Sequence, residues 1–237
     1  MARKGKLASA PRDEEERPVR LRRYRYLLLI VCEDQKTEKH YFEGFKPLFP
    51  ERTIYQRTVG TGLDPKGVVE RALTEREALQ EEAGKEVDKT WVVFDKDDAD
   101  ISVGRRARYE TALALARESN LTLADSNECF EVWPLLHFQD IPGDKPIPRQ
   151  QVYQLIQDAV RLHPDYGEYT YLHGSTEILD ILVRIGDERL AIERAKALLV
   201  HHNQKPRIEC NPSTQVHLLV EDLRAWIAYY SYIPDNS

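Results

Sequence analysis

Tyr26-Leu-Leu-Leu-Ile-Val-Cys32 is an unbroken apolar run, and Glu33 follows it directly. A run of this length without alternating polar residues predicts a strand that is buried on both faces of a parallel sheet. Thr90-Trp-Val-Val-Phe94 is a second run of this kind, and it ends at Asp95. Parallel strands end at the same edge of a sheet, so Glu33 and Asp95 are expected to meet at that edge.

The chain around these two runs alternates between strands and helices. The order β-α-β-α-β-α-β predicts an α/β protein with a mainly parallel sheet flanked by helices. Thr37 is the expected N-cap of the first helix, and Pro47 should end it. The further elements expected in this half are helices at 37–46, 65–83 and about 108–118 and strands at 53–59 and 121–124.

After residue 127 the pattern becomes mostly helical, with loops that contain proline and glycine. We therefore expect a basic, flexible N-terminal arm at 1–25, an α/β core at 26–138 and a helical C-terminal region at 139–237 that packs on the core. Ser213 is expected to cap the last helix. The helices expected in this half are 130–138, 149–162, 175–184, 187–202 and 213–232.

Composition and charge exclude several classes of protein. The 237 residues are 41% hydrophobic and 31% charged, and no apolar run reaches the ~20 residues of a membrane helix. The start of the chain has no signal-peptide pattern, so a cytoplasmic location is expected. Cys32, Cys129 and Cys210 are far apart, which suits reduced thiols better than disulfides or a zinc site.

The net charge of −6 is unevenly distributed along the chain. Residues 1–25 hold nine basic and four acidic residues, a balance of +5, which leaves −11 on the remainder. The favoured interpretation of this arm is a solvated tail, and a clamp for a phosphate backbone is the alternative. The acidic body argues against broad, charge-driven binding of nucleic acid, but not against binding through a metal ion.

The acidic residues after the two apolar runs predict a metal site. Glu33 faces the cluster Asp95-Lys-Asp-Asp98, and Asp95 and Asp97 would point the same way on an extended segment. Carboxylates placed side by side raise one another's pKa or share a cation, and oxygen ligands favour Mg²⁺ or Mn²⁺. The alternative is a set of solvated loop acids. Lys36 begins a helix, where it would bind a phosphate or serve as an ordinary polar start.

Other motifs give weaker signals. Gly60-Thr-Gly62 lacks the ending of a nucleotide-binding P-loop and is interpreted as a turn. His137 lies in an apolar helix, where a hydrogen-bonded core histidine is the commoner role. His201-His202 has no ligand partners at metal spacing, and the sequence contains no nucleophilic serine elbow.

Four segments together resemble the RloB-like family, a Toprim-related group found beside restriction and abortive-infection genes. They are Ile30-Val-Cys-Glu-Asp-Gln-Lys-Thr-Glu38 with Tyr41-Phe42, Trp91-Val-Val-Phe-Asp-Lys-Asp97, Ser126-Asn-Glu-Cys-Phe-Glu-Val-Trp-Pro-Leu-Leu-His-Phe138, and Asn211-Pro-Ser-Thr with His217. The resemblance implies a Toprim-like α/β core, with Glu33 as the strand-end glutamate and Asp95 and Asp97 as the Asp-x-Asp pair.

The third and fourth segments imply further residues at the same site. By resemblance, these substrate-binding candidates are Asn127, Glu131, His137, Asn211, Ser213 and Thr214. Structural roles remain open for some of them. Asn127 and Ser213 would also suit helix caps, and Glu131 would suit a partner for a nearby basic group.

The resemblance implies a metal-dependent nuclease in which Glu33, Asp95 and Asp97 hold Mg²⁺ or Mn²⁺ and Lys36 steadies the scissile phosphate. RNA, including tRNA, is favoured over DNA as the substrate, and the expected role is the effector of an anti-phage system restrained by an ABC-type or AAA-type ATPase. The alternative is a non-catalytic subunit that binds an ATPase or senses a ligand. A nucleotidyl-transferase or primase activity ranks last, and formation of a homo-oligomer is left open.

Overall fold

The computed structural model describes residues 21–97 and 99–232. Four parallel strands form one sheet in the order β2-β1-β3-β4. The predicted α/β class with a parallel sheet is therefore confirmed. The strands are β1 (Tyr26–Cys32), β2 (Ile54–Gly60), β3 (Lys89–Val93) and β4 (Thr122–Leu123).

The helices that connect these strands begin and end where the local sequence favours it. They are α1 (Thr37–Glu43), α2 (Pro65–Ala83) and α3 (Val103–Glu118), and a short 3₁₀ turn at Lys46–Leu48 follows α1. The Asp64 carboxylate caps α2 by accepting from the Gly67 N–H at 3.0 Å, and Pro65 supplies the fixed φ of the first turn. Gly84 ends α2 at a φ of +61°, a conformation that glycine adopts without strain.

The side chains of β1 alternate between two hydrophobic cores. Leu27, Leu29 and Val31 pack against α2 and α3, whereas Leu28, Ile30 and Cys32 face α1 and the C-terminal helices. All six are fully buried, which explains why the sequence of β1 contains no polar residue. The sheet is thus covered by helices on both faces.

The C-terminal half contributes helices to the core on the α1 face of the sheet. In α5, Val152, Ile156 and Val160 form a buried stripe at helical spacing. The predicted helical C-terminal region is confirmed. Its helices are α4 (Val132–Leu136), α5 (Arg149–Arg161), α6 (Glu177–Ile185), α7 (Glu188–His201) and α8 (Val216–Tyr232), with 3₁₀ turns at Pro164–Tyr166 and Arg207–Glu209.

A short antiparallel pair was not expected from the sequence. β5 (Ser126–Asn127) pairs with β6 (Ser213–Thr214), which corrects the prediction that Ser213 begins the last helix. The helix α8 begins at Val216, after the Thr214 Oγ1 accepts from the Val216 N–H at 3.2 Å. Two-residue strands so far apart in sequence leave no periodic pattern, which is why the pairing was missed.

The start of α1 also differs from the prediction. Thr37 is the first helical residue and not the cap, because the Asp34 carboxylate accepts from the Thr37 N–H. The Glu38 Oε2 accepts from the Asp34 N–H at 3.0 Å, so the two side chains cap the turn reciprocally, as in a capping box. The helix ends at Glu43, and a 3₁₀ turn replaces its expected last residues.

The basic arm predicted at 1–25 lies largely outside the described residues, and Asp98, which follows Asp97 in the acidic run after β3, also lies outside them. Within the described part, Leu21 is buried, and the Arg22 Nε donates to the Ala83 carbonyl at 3.2 Å. Cys32, Cys129 and Cys210 are buried free thiols, as predicted. No helix between residues 21 and 232, Asp98 aside, combines the length and the apolar composition needed to cross a membrane.

Candidate active site

Glu33 and Asp95 meet at the carboxyl edge of the sheet. Cys32 is paired with Val93, and the Glu33 N–H extends this pairing by donating to the Val93 carbonyl at 2.9 Å. The Asp95 N–H then donates to the Glu33 Oε2 at 3.0 Å. The structure therefore brings these two predicted residues together, and the cause is the adjacency of β1 and β3.

The Gly60–Gly62 loop supports the segment that carries Glu33. A Cβ at Gly60 would lie 2.5 Å from the Gln35 Cα, so any larger residue would push this segment away. The Thr61 N–H donates to the Cys32 carbonyl at 3.0 Å, and the Gly62 N–H donates to the Glu33 carbonyl at 2.7 Å. The loop is a turn with a structural role.

Two more carboxylates approach the same edge and are deeply buried. Glu38 is 2% exposed and Glu131 is 4% exposed. Glu131 was implied by resemblance, whereas Glu38 was not singled out for the site. Its spacing offered a signal, because Glu38 lies four residues before the buried Phe42 and therefore shares the inward face of α1. We call Glu33, Glu38, Asp95 and Glu131 the acidic cluster.

The acidic cluster is electrostatically strained. Burial raises the pKa of Glu33 to about 7, although the Asp95 N–H and the charge of Arg149 oppose this shift. Burial also raises the pKa of Asp95, and the neighbouring charges of Glu38, Glu33 and Glu131 raise it further. The pKa of Glu38 is raised by burial and then by Glu33. These carboxylates disfavour one another's ionised form, and a cation would relieve that cost.

Arg149 supplies positive charge to the site. It is the first residue of α5, its Nη2 lies 3.4 Å from the Asp95 Oδ2, and it forms an ion pair with Asp97. Asp97 has a φ of +48°, so the extended segment assumed for Asp95 to Asp97 is not found. The two carboxylates nevertheless face one group, because the chain turns at Asp97 and both contact the guanidinium.

The fit to a divalent cation is partial. Glu33 and Asp95 offer oxygen donors that suit Mg²⁺ or Mn²⁺, and the buried Asp95 Oδ1 has no hydrogen-bond partner. Among the residues with described positions, no three His, Cys, Asp or Glu side chains are arranged to hold a metal ion. Asp97 would complete the predicted trio only after Arg149 moves away from it.

Comparison with known protein families adds an independent finding. The family model described as RloB-like protein matches residues 28–223. The chain belongs to the RloB-like family. The matched range includes residues 28–32 of β1, the acidic cluster, Arg149 and the start of α8. Searches of the curated proteins and of the solved structures gave no match.

A cavity of about 830 Å³ adjoins the acidic cluster of this RloB-like chain. Asp97, Arg149 and Asn211 line it, together with the basic residues Lys96 and Arg106. Lys96 is 4% exposed, and its Nζ contacts the Asp100 Oδ1 at 2.8 Å and the Glu128 Oε2 at 3.3 Å. The cavity therefore presents both signs of charge to a ligand.

Asn211 lies at this cavity, but its side chain also holds the fold together. Its Oδ1 accepts from the Ile147 N–H at 2.9 Å, and its Nδ2 donates to the Glu128 Oε2 at 2.9 Å. Lys36 is exposed on the other side of the acidic cluster, where its Cδ lies 3.9 Å from the position of a Cβ at Gly174. Both residues are near the site without contacting the Glu33 carboxylate.

Asn127, Ser213 and Thr214 belong to the β5–β6 pair and are buried. The Asn127 Nδ2 donates to the carbonyls of Arg207 and Ile208 at 3.1 and 3.2 Å, and the Ser126 Oγ lies 2.9 Å from the Thr214 Oγ1. Asn127 and Ser213 are thus not helix caps. The pair joins the third and fourth sequence segments and holds them beside the end of β3.

His137 does not join the acidic cluster. It lines a separate cavity of about 740 Å³, with Tyr41 and Arg224 among the other lining residues. The ring of Trp133 packs edge-on against it at 4.9 Å, and burial lowers the pKa of His137 to about 4. His137 is therefore a neutral core histidine in this structure.

Sequence reasoning missed three residues that surround Glu131. The Tyr171 hydroxyl donates to the Glu131 Oε1 at 2.8 Å, and the His173 Nδ1 lies 3.3 Å from the same oxygen. Tyr153, one turn after Arg149 in α5, contacts the His173 Nδ1 through its hydroxyl at 2.9 Å. Nothing in the local sequence marks Tyr171 or His173, which lie in a loop outside the four segments.

Proposed function

We propose that this chain is a metal-dependent nuclease that cleaves RNA, with DNA as the less favoured substrate. One observation carries the proposal. Glu33 and Asp95 converge at the carboxyl edge of a parallel sheet, within the acidic cluster, and the pKa values of both are raised. A site with an excess of buried negative charge is suited to a cation, and strand-end loops are where α/β proteins place their chemistry.

Glu33, Asp95 and Asp97 would hold Mg²⁺ or Mn²⁺. Such an ion polarises a phosphoryl oxygen and lowers the pKa of an attacking water. Around it, the chain offers cations for the phosphate backbone of a substrate. Lys96, Arg106 and Arg149 line the adjoining cavity, and Lys36 is exposed on the other side of the acidic cluster. Arginine and lysine side chains at such positions would bind and orient the scissile phosphate.

The RNA preference and the role in defence rest on the resemblance to Toprim-related effectors of abortive infection. The body of the chain carries −11, which disfavours unaided binding to a polyanion. An ABC-type or AAA-type ATPase partner that presents RNA or releases the nuclease would overcome this barrier. The expected location is the cytoplasm, where such substrates and partners occur.

The test compares cleavage of cellular RNA and of duplex DNA by the purified full chain with Mg²⁺ or Mn²⁺. We expect Glu33→Gln and Asp95→Asn each to reduce RNA cleavage at least about 100-fold, because each removes a ligand charge from the reacting centre. Glu81→Gln and Asp158→Asn are matched controls at exposed helix positions and should cleave at the unmodified rate. Equal rates for the site variants and the unmodified chain would refute the proposal.

One observation favours a second function, that of a non-catalytic subunit. Arg149 contacts both Asp95 and Asp97 and so supplies the charge that a metal ion would supply. If this ion pair is permanent, it keeps a metal ion out of the site. The chain would then be a non-catalytic, Toprim-related subunit that binds an ATPase. Calorimetric titration with Mg²⁺ and Mn²⁺ separates the two functions. Absence of binding below millimolar concentrations, with stable association with a neighbouring ATPase, would select the subunit over the nuclease.

A further inference from the structure

His173 is held in a defined orientation although it is a surface residue. Its side chain is 61% exposed, yet both hydrogen-bonding contacts of the ring pass through Nδ1. The ring also stacks on Tyr153, with the ring centroids 5.4 Å apart and the planes 21° apart. The Nε2 edge of the imidazole is therefore the edge that remains to meet a ligand.

Glu131 fixes the tautomer of this imidazole. The Glu131 Oε1 already accepts from the Tyr171 hydroxyl at 2.8 Å, and it faces the His173 Nδ1 at 3.3 Å. A carboxylate oxygen only accepts hydrogen bonds, so the Glu131 contact requires the hydrogen on Nδ1. The Tyr153 hydroxyl, which can accept as well as donate, then accepts from the same N–H at 2.9 Å, and Nε2 gains or loses the second proton. A buried acid that orients a histidine whose other nitrogen faces outward is the arrangement used in general acid-base catalysis.

His173 also lies beside the acidic cluster and not on a remote surface. Tyr153 and Arg149 are one turn apart on the same face of α5, so the helix that contacts Asp95 also contacts His173. The following residue, Gly174, faces Lys36. The imidazole thus contacts one member of the acidic cluster, Glu131, and lies next in sequence to a glycine that faces Lys36.

We propose that His173 is a catalytic residue of the phosphodiester cleavage, acting as the general acid for the leaving oxygen, and that Glu131 is its positioning residue. This inference rests on the proposed nuclease function. In the step, a water oxygen forms a bond to phosphorus, and the bond from phosphorus to the leaving oxygen breaks. The proton on Nε2 passes to the leaving oxygen, the water proton passes to solvent, and His173 regains a proton from solvent.

The test uses two substrates that differ in their need for a proton. Cleavage of RNA expels a ribose oxygen, which is a poor leaving group as an alkoxide and needs a proton from the general acid. Cleavage of bis(p-nitrophenyl) phosphate expels p-nitrophenolate, which leaves without a proton. We expect His173→Ala in the full chain to lose about 100-fold in RNA cleavage. The same variant should lose less than about threefold on bis(p-nitrophenyl) phosphate, and added imidazole should restore part of its RNA cleavage.

Three comparisons separate the possible failures. His201→Ala, an exposed histidine on α7, is the matched control and should cleave both substrates normally. Glu131→Gln should also lose more on RNA than on bis(p-nitrophenyl) phosphate, but by a smaller factor, since it keeps His173 and weakens the contact that orients the ring. Its effect on the charge beside Asp95 should act on both substrates alike. Equal losses on both substrates, or no loss on either, would overturn the role of His173 alone. Absence of cleavage by the unmodified chain would overturn the nuclease proposal and this inference with it.

Discussion

The acidic cluster and the β5–β6 pair are both polar, and both draw on the third sequence segment, yet their groups are compensated in different ways. In the β5–β6 pair, the hydroxyls of Ser126 and Thr214 contact each other, and the Asn127 amide donates to backbone carbonyls. In the acidic cluster, carboxylates face other carboxylates, and the pKa values of Glu33, Glu38 and Asp95 are raised. Buried neutral groups that have hydrogen-bond partners therefore do not mark a functional site. Buried carboxylates that lie beside other carboxylates are the better indication of one.

The difference has an energetic meaning. Neutral groups that exchange hydrogen bonds add stability, typically by about 1 kcal/mol for each bond. Ionised carboxylates buried beside one another cost stability until a proton or a cation joins them. Such a cluster is therefore suited to a ligand that brings positive charge, as the proposed function requires. The two regions should respond in opposite ways to pH, to substitution and to divalent cations.

The largest expected effect is the loss of the Glu33 contribution to stability as the pH rises in the metal-free protein. Because folding raises the pKa of Glu33 from about 4.5 to about 7, the folded state holds this proton more tightly than the unfolded state. This contribution is fully present below about pH 4.5 and is lost as the pH rises through 7, by up to about 3 kcal/mol. His137, whose pKa burial lowers to about 4, acts in the opposite sense over the same range, so the contribution is the difference between Glu33→Gln and the unmodified chain. Urea unfolding of both in EDTA across this range measures it.

Glu33→Gln should gain stability relative to the unmodified chain as the pH rises from 4.5 to 7 and should be the more stable of the two at pH 7. Glu81→Gln, which changes an exposed acid on α2, should show no such gain. A difference between Glu33→Gln and the unmodified chain that stays constant over this range would mean that the strain lies in other carboxylates. A difference that moves in favour of the unmodified chain would contradict the electrostatic account of the cluster.

The next effect concerns the β5–β6 pair. Thr214→Val removes the hydroxyl that contacts the Ser126 Oγ and accepts from the Val216 N–H, while keeping the shape of the side chain. We expect a loss of about 1–2 kcal/mol in the free energy of unfolding, because two buried polar groups lose their partner. Cleavage per folded molecule should not change. Chemical denaturation and the RNA assay, performed on one preparation, measure the two quantities.

Thr111→Val is the matched control, because that threonine is exposed on α3 and bonds only to its own helix. It should change stability by less than about 0.5 kcal/mol. If Thr214→Val instead abolished cleavage at unchanged stability, the residue would belong to the substrate site, as the family resemblance implied. The comparison between the two regions would then fail.

The sequence was sufficient for the features that depend on local pattern. The apolar run predicted β1 at its observed bounds, and the helix expected at 65–83 coincides with α2. The approach of Glu33 to Asp95 also followed from local pattern, because two buried parallel strands must end at one edge. Each of these predictions needed only residues that are close in sequence and one rule of topology.

The features that were missed depend on distant parts of the chain. Arg149, at the start of α5, reaches Asp95 across 54 residues, and His173, in a loop, reaches Glu131 across 42. No periodic pattern in the sequence marks either contact. His137 was placed beside the site by resemblance, but it faces a different cavity. Tertiary packing decides which side chain fills the space beside a buried acid, and a single sequence does not encode that choice in a local pattern.

The smallest expected effect is the most informative about the cation. Without divalent ions, Arg149→Ala should lower the free energy of unfolding by about 1 kcal/mol, because the guanidinium compensates Asp95 and Asp97 but is itself partly exposed. Arg149 and a metal ion would compete for the same carboxylates, so the variant should bind Mn²⁺ about fivefold more tightly, as the same free energy implies. Thermal unfolding at a series of Mn²⁺ concentrations measures both quantities.

Arg189→Ala, which removes an exposed arginine on α7, should change neither the stability nor the affinity for Mn²⁺. If the Arg149 variant gained no affinity for Mn²⁺, the guanidinium would be a lasting partner of the acidic cluster, and the non-catalytic function would gain support.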